Sequence, residues 1–367
     1  MGALRSPIHD RHVALGAKFS EFGGWDMPLE YPTGVVKEHT AVRERVGVFD
    51  VSHLGKLTVR GPGARAFINS VMTNDLDRIG PGQAQYTLCC DEATGGVVDD
   101  LIVYIRSDDD LLLVPNAANT AEVLRRLEAV RPDDIVITDE HQSHAVIAVQ
   151  GTKSDEVLGA LGFPVGHDYM AFAEASYDGE NVVVCRTGYT GERGYELIAP
   201  NSVAVALWDG ILEAGAAYEI AACGLGARDT LRTEMGYPLH GQDLGPEITP
   251  NMALTGWAVG WDKPAFWGRD VLLQQKAAGV PRVLRGLVAA GRGIPRPHMQ
   301  VVAEAGGEQV GEITSGTFSP TKRQGIALAL LDKPIAYGTE VYVDIRGRAE
   351  AFVVTRPPFV ETQVRES

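Results

Sequence analysis

The stretch GGVVDDLIVYIRSDDDLLLVPNAAN, Gly95 to Asn119, decides the fold: two runs rich in Val, Ile and Leu flank the acidic triplet Asp108, Asp109 and Asp110. Such runs, bounded by turn-forming residues, read as antiparallel strands joined by a tight connection. Asp99 and Asp100 stand at the head of the first strand. Side chains alternate across a strand, so the two carboxylates point to opposite faces, and one can meet water while the other turns inward.

Working outward, AQYTLCCD (residues 84–91) precedes this pair as a further strand, and NTAEVLRRLEAV (119–130) follows it with helical spacing. KLTVRGPGARAFINSV (56–71) passes from strand to helix through Gly61, Pro62 and Gly63, and AVIAVQGTKSDEVLGAL (145–161) makes the same passage at Gly151. The two units form a weak internal duplication of strand, turn and helix. Nearer the start, Ser6 is placed to cap a short helix in SPIHDRHVALGAKF, and VVKEHTAVRERVGVF (35–49) spaces Val35, Val36, Val42, Val46 and Phe49 as an amphipathic helix ending near Gly47. An α+β layer of antiparallel sheet and helices is the expected architecture.

LLQQKAAGVP (272–281) reads as a helix and linker. Beyond about residue 280 the helical signal fades into short, closely spaced strands, RVLRGLVAAG, MQVVAEAGGEQVGEITSG, GIALALLD, TEVYVDI and EAFVVTRPPF, which predict a small antiparallel barrel or sandwich.

A chain of 367 residues is long enough for about two or three domains. Its formal charge of -15 argues against nucleic acid and anionic membrane as partners, because both recruit clustered Lys and Arg. The cysteines at 89, 90, 185 and 223 form no Cys-x-x-Cys pair and no disulfide framework, which suits a reducing cytoplasm. Neither a leader nor an apolar span of the roughly 20 residues needed to cross a bilayer is present, so a cytoplasmic and bacterial setting is expected.

Single motifs are ambiguous. TGYTGERGYELIAP (187–200) is, taken alone, a glycine-rich hairpin. CGLGARDTLRTEMGYPLHGQD (223–243) offers Gly224 and Gly226 before a helix, but Asp229 stands where a dinucleotide fingerprint needs its third glycine. Arg228 and Asp229 can hold a polar ligand or form an ordinary surface pair. His9 with His12 and His141 with His144 have helix-like spacing without further ligands, so no metal is expected. Ser52-His53 and Cys89-Cys90 define no nucleophile and base.

Taken in order, FGGWDMPLEY, EHTAVRERVGVFDVSHLG, TNDL, GGVVDDLIVY, VPNAAN, CRTGYTGERGYEL, GLGARDTLR, GQD and GEITSGTFSPT resemble the aminomethyltransferase, or T-protein, family of the glycine cleavage system along essentially the whole chain. The resemblance implies a folate-binding region of two intertwined antiparallel-sheet and helix domains over residues 1–275, with the inserted part at roughly 55–140, followed by a C-terminal β-barrel-like domain over 280–367. It also implies transfer of a one-carbon unit from an aminomethyl group on the lipoyl arm of H-protein to tetrahydrofolate. The products are 5,10-methylenetetrahydrofolate, ammonia and dihydrolipoyl H-protein, and neither metal nor flavin takes part.

By the same resemblance Asp100 is the functional aspartate, and Tyr86, Val114, Asn116, Tyr169, Tyr189, Glu196, Arg228 and Tyr237 bind folate, with Arg365 in the tail reaching the ligand. A carboxylate such as Glu196 suits the two-donor edge of a pterin, and the tyrosines supply aromatic walls. Asp99 is assigned to the wetter side or to a turn. Leu54, Thr233 and His240 depart from the family's usual residues and are expected to affect local packing rather than the folate site. Two other functions are weighed. A folate-dependent demethylase uses the same scaffold, and a noncatalytic iron-sulfur maintenance protein carries a Cys where this chain reads GYPLHGQD. Because H-proteins are acidic, Arg282, Arg285, Arg292 and Arg296 are the expected docking patch.

Overall fold

The computed structural model describes residues 2–332, 335–362 and 364. The fold is α+β, with a closed six-stranded barrel at its C-terminal end. The three strands expected around Asp99 and Asp100 are Gln83–Cys90, Val97–Ser107 and Asp110–Val114, paired antiparallel in sequence order. Leu57–Arg60 and Val136–Asp139 extend them to a five-stranded sheet.

All five strands lie, in sequence, between two neighbours of another sheet. Gly47–Asp50 pairs antiparallel with His144–Gln150, Val48 opposite Val149, and parallel with Ala221–Cys223. Gly194–Pro200, Glu180–Cys185 and Phe172–Tyr177 complete this six-stranded sheet. The two sheets face each other across a shared core in which Tyr104 and Leu112 of one meet Phe49, Val146 and Val183 of the other. The outer face of the five-stranded sheet is covered by the helices Ala64–Val71 and Thr120–Val130, which contribute Phe67, Ile68, Val123 and Leu127.

The duplicated corners are real in three dimensions. Gly61 and Gly151 adopt φ of +133° and +128°, and each is followed by a helix that starts three residues later. A side chain at either would strike backbone: a Cβ at Gly61 would lie 2.1 Å from the Asp134 carbonyl oxygen, and one at Gly151 2.4 Å from that of Arg45. Only glycine tolerates both the conformation and the close approach.

Local expectations at the N-terminus need correction. The first helix runs His9–Ala14 with Ile8 at its N-cap; the Ser6 oxygen accepts the Ile8 N–H (3.1 Å) in the turn before it, and the Ser6 hydroxyl also donates to the buried Asp50 carboxylate. The second helix, Val35–Glu44, leaves Val36 54% exposed and buries Glu38 and His39. Glu38 accepts from the backbone N–H groups of Tyr31 (2.6 Å) and Gly224 (2.8 Å), so this helix packs through hydrogen-bonded polar groups as well as apolar ones.

Arg282–Ala289, Gln324–Asp332, Gln309–Ser319, Gln300–Val302, Glu340–Ile345 and Arg348–Thr355 close the barrel around Leu287, Ile313, Val343 and Phe352. It is tied to the rest by the helix Leu225–Met235. Glu234 at that helix's end receives Arg43 (2.9 Å), Ser319 and Thr321, and His39 lies 3.2 Å away. Arg232 reaches Asp243 (2.9 Å) and the Ser315 hydroxyl of the barrel (2.9 Å).

Candidate active site

A cavity of about 220 Å³ opens where the two sheets meet the helix Leu225–Met235. Tyr86 and Asp100 come from the five-stranded sheet, Val114 and Asn116 from the end of its third strand, and Glu196 from the six-stranded sheet. Tyr169 precedes that sheet's edge strand, Tyr189 rides the glycine loop, Arg228 lies on the helix, and Tyr237 follows its left-handed cap at Gly236. All nine line this one cavity. Arg365 lies outside the described residues.

Strand alternation separates Asp99 from Asp100, but it does not take Asp99 to water. Asp100 shares the cavity face with Ile102 and Tyr104, whereas Asp99 shares the opposite face with Leu101, Val103 and Ile105 under the two helices. That face is closed, and Asp99 is 0% exposed. Its carboxylate accepts from the backbone N–H of Asn116 (3.0 Å), from the Asn116 side-chain amide (2.9 Å) and from the Asn119 amide (2.7 Å). The assignment of Asp99 to a wet side is therefore overturned, because both faces of the sheet are covered.

Asp100 accepts from the Tyr86 hydroxyl (3.0 Å) and from the same Asn116 amide (2.9 Å). Burial lifts both carboxyls above the ordinary carboxylate range: Asp99 well above it, with repulsion from Asp100 adding to burial, and Asp100 against the pull of His240, Tyr86 and Asn116. His240 is fixed in turn: one ring nitrogen meets the Val97 carbonyl (3.0 Å), which can only accept, so the other accepts from the Asn119 amide (3.0 Å).

Across the cavity, one oxygen of Glu196 accepts from the Thr187 hydroxyl at 2.5 Å, and its second oxygen has no partner among the described residues. The single Thr187 hydroxyl hydrogen is engaged by Glu196, so the Tyr104 hydroxyl at 3.1 Å donates to Thr187. The Arg228 guanidinium lies 4.7 Å over the Tyr189 ring and makes no ion pair among the described residues. Tyr189 stacks on Tyr237 at 5.9 Å and donates to the Pro238 carbonyl. The glycine loop is stapled from behind by Gln150, whose amide donates to the carbonyls of Thr187 and Tyr195 (3.2 Å each) and accepts from Thr190 (2.8 Å). A Cβ at Gly188 or Gly194 would lie 2.2 or 2.6 Å from that amide, so these glycines make room for the staple.

Sequence reasoning missed several lining residues. Trp257 is 65% exposed yet stacks on Tyr86 at 5.2 Å, and Phe22 meets His53 edge-on at 5.3 Å. Burial, with Arg228 adding to it, pushes the His53 imidazole down to about 3, so it is neutral. Leu54 and His240 also line the cavity, which corrects the expectation that their departures concern packing alone. Thr233 does only pack, donating to the Asp229 carbonyl at 2.7 Å. Nor do Arg228 and Asp229 pair with each other: Asp229 binds Arg232 at 2.6 Å. Of the histidine pairs, His12 bonds Asp50 (2.8 Å) and His141 meets the His53 carbonyl (2.8 Å).

This fold and cavity recur in known proteins. A family model described as "GCVT N-terminal domain" matches residues 8–263, and one described as "Glycine cleavage T-protein C-terminal barrel domain" matches 282–361. The chain is 61% identical over 367 residues to an aminomethyltransferase of Parafrankia sp. (strain EAN1pec), covering 100% of both. It is 57% identical over 364 residues to one of Mycobacterium leprae, covering 99% of this chain and 98% of the relative. The crystal structure of glycine cleavage system aminomethyltransferase T from Bartonella henselae superposes with a TM-score of 0.91 at 33% identity, over 97% of this chain and 98% of that one. The chain belongs to the glycine cleavage T-protein family. Its activity is aminomethyl transfer in the glycine cleavage system.

Proposed function

We propose that the cavity binds tetrahydrofolate as one-carbon acceptor and that lipoylated H-protein delivers the aminomethyl group. The observation that carries this reading is that Glu196 and Asp100, from different sheets, face one cavity walled by Tyr86, Tyr189 and Tyr237. The open oxygen of Glu196 accepts from the amino and ring N–H groups of the pterin, a charge-assisted contact that fixes the ring. Arg228, held flat over Tyr189, meets a pterin oxygen or a folate carboxylate. The ring is thereby oriented with its reactive nitrogen toward Asp100, whose carboxylate stabilises the positive charge that develops as N5 attacks the methylene carbon.

The chemistry uses the folate as substrate and draws on no metal or flavin in this reading. Arg292 and Arg296, exposed after the barrel strand Arg282–Ala289, and the half-buried Arg282 and Arg285 upon it, are the groups proposed to meet the acidic carrier. If charge reversal there leaves carrier affinity and its salt dependence unchanged, that part of the reading is wrong. The decisive assay supplies aminomethylated H-protein and tetrahydrofolate and measures ammonia and 5,10-methylenetetrahydrofolate together. Absence of both products with active partner proteins would sink the proposal.

A further inference from the structure

His53 is a buried imidazole that the chemistry above does not use. It lines the cavity and is only 1% exposed. The other histidines around it are engaged: His240 meets the Val97 carbonyl and the Asn119 amide, and His141 meets the His53 carbonyl. The His53 ring has Phe22 edge-on at 5.3 Å and no hydrogen bond among the described residues. Its Nδ1 is shut away from solvent without a partner. A stranded N–H is tolerated less well in a protein interior than a bare acceptor, so the proton belongs on Nε2, and the edge left to meet the cavity is a donor.

The ring is held in place from several sides. Residues 51–56 carry the chain from the strand Gly47–Asp50 of one sheet to Leu57–Arg60 of the other. Val51 donates to the Val146 carbonyl (2.9 Å), Gly55 to that of Pro115 (2.8 Å), and Lys56 Nζ to those of Ser52 and His144 (2.8 Å each). His141 donates to the carbonyl of His53 itself (2.8 Å). A Cβ at Gly55 would lie 2.2 Å from the Thr120 hydroxyl, so the segment is pressed against the turn that carries Asn116, whose amide binds Asp100 (2.9 Å). On the other side stands Arg228, whose charge adds to burial in keeping the His53 ring neutral and which itself feels the charge of Glu196.

His53 therefore stands between the Glu196 and Arg228 side of the cavity and the Asp100 and Asn116 side, and this order matches one edge of a pterin. Along that edge the amino group and ring N–H come first, then the C4 carbonyl, then N5. In the reading above the N–H groups meet Glu196 and N5 faces Asp100, which leaves the carbonyl oxygen to Arg228 and His53. We propose that His53 is a binding residue that donates from Nε2 to this oxygen beside Arg228, and that the corner so formed selects a carbonyl over an amino group at C4. The inference rests on the folate reading. Two converging donors bind an oxygen and leave a third donor unpaired, which is how a buried polar corner discriminates between groups of the same size.

The test measures dissociation constants by calorimetry for tetrahydrofolate and for its analogue with an amino group at C4, using the wild type, His53→Phe and His53→Gln. Phe keeps a ring without a donor, and Gln restores an N–H near the position of Nε2. His53→Phe is expected to raise the tetrahydrofolate Kd about tenfold while the Kd of the analogue stays within about threefold, and His53→Gln to recover most of the loss. An equal loss for both ligands, or no loss for tetrahydrofolate, overturns the proposal. Because a variant at a buried position can misfold, wild-type enzyme with nitrogen-labelled histidine is also followed by NMR as each ligand is added. A His53 Nε2–H signal that moves downfield with tetrahydrofolate and not with the analogue supports the assignment; a proton on Nδ1, or no movement, overturns it. Wild type that binds neither ligand sinks the folate reading and this inference with it, whereas binding without the selectivity sinks the inference alone.

Discussion

Two regions of the molecule bury carboxylates, and they do so by opposite means. Where the helix Leu225–Met235 meets the barrel, Glu234 is surrounded by Arg43, His39, Ser319 and Thr321, so its charge is matched and fully hydrogen-bonded. At the cavity, Asp99 is buried and Asp100 half-buried beside it, with only amides and a phenol as hydrogen-bond partners among the described residues. Burial alone would raise Glu234, but His39 and Arg43 overcome it and hold the carboxylate at about 2. The Asp pair is pushed the other way, both by burial and Asp99 also by the charge of Asp100. Matched charge fixes a joint and is chemically silent, whereas carboxyls buried without a cation titrate away from their ordinary range, as functional sites commonly require.

The largest effects expected from breaking this contrast lie in the matched region. Glu234→Ala leaves Arg43 and His39 buried without their carboxylate and is expected to cost about 3–5 kcal/mol, read as a lowered urea midpoint. A shift under about 1 kcal/mol would show that the joint is not held this way. Asp100→Asn should cut kcat by about a hundredfold or more while moving the urea midpoint little. An equal loss of stability and transfer would merge the two regions into one kind of site. Glu196→Gln keeps the shape but loses a charge-assisted acceptor, so folate binding should weaken by about 1.5–3 kcal/mol in calorimetry.

The same contrast has a pH signature. Glu234 is depressed in the folded chain, so its contribution is fully present above the unfolded carboxylate value and is lost as pH falls toward about 2. Stability should therefore drop between roughly pH 4.5 and 2, and Glu234→Gln should flatten that part of the curve. The smallest effect belongs to the cavity mouth: Trp257→Ala removes an exposed ring stacked on Tyr86 and should cost folate about 1 kcal/mol, seen as a roughly fivefold higher Kd. No change would place Trp257 outside the binding surface.

Much of this was legible in the residues, and the failures have physical reasons. The strands around Asp99 and Asp100 followed from alternation and turn residues, and the matching corners from Gly61 and Gly151. Alternation tells which face a side chain takes but not what covers that face, which is why Asp99 was read as wet. Ser6 does accept the Ile8 N–H (3.1 Å), but the helix starts later than its spacing suggests, at His9, and local spacing cannot show that the same hydroxyl donates to Asp50, far along the chain. The nine cavity residues were legible only through ordered motifs, since they come from separate strands, loops and a helix that no periodicity connects. Trp257 left no comparable signal, being an aromatic on an irregular segment, and Phe22 heads the motif FGGWDMPLEY without anything in that motif aiming it at the cavity.

The interleaving of the two sheets also sets an order of events at the ribosome. Gly47–Asp50 is synthesised early, but its neighbours are His144–Gln150 and Ala221–Cys223, so it must wait while the whole five-stranded sheet emerges. At 5–20 residues per second that delay is roughly 5–20 s, long enough for the inserted sheet, whose strand pairings all lie within its own segment, to form first. Tyr237 and Trp257 arrive later still. A nascent chain released before them carries a complete inner sheet and an open wall where the cavity belongs, so the enzyme has all of its cavity-lining residues only once Trp257 of its 367 residues has been added.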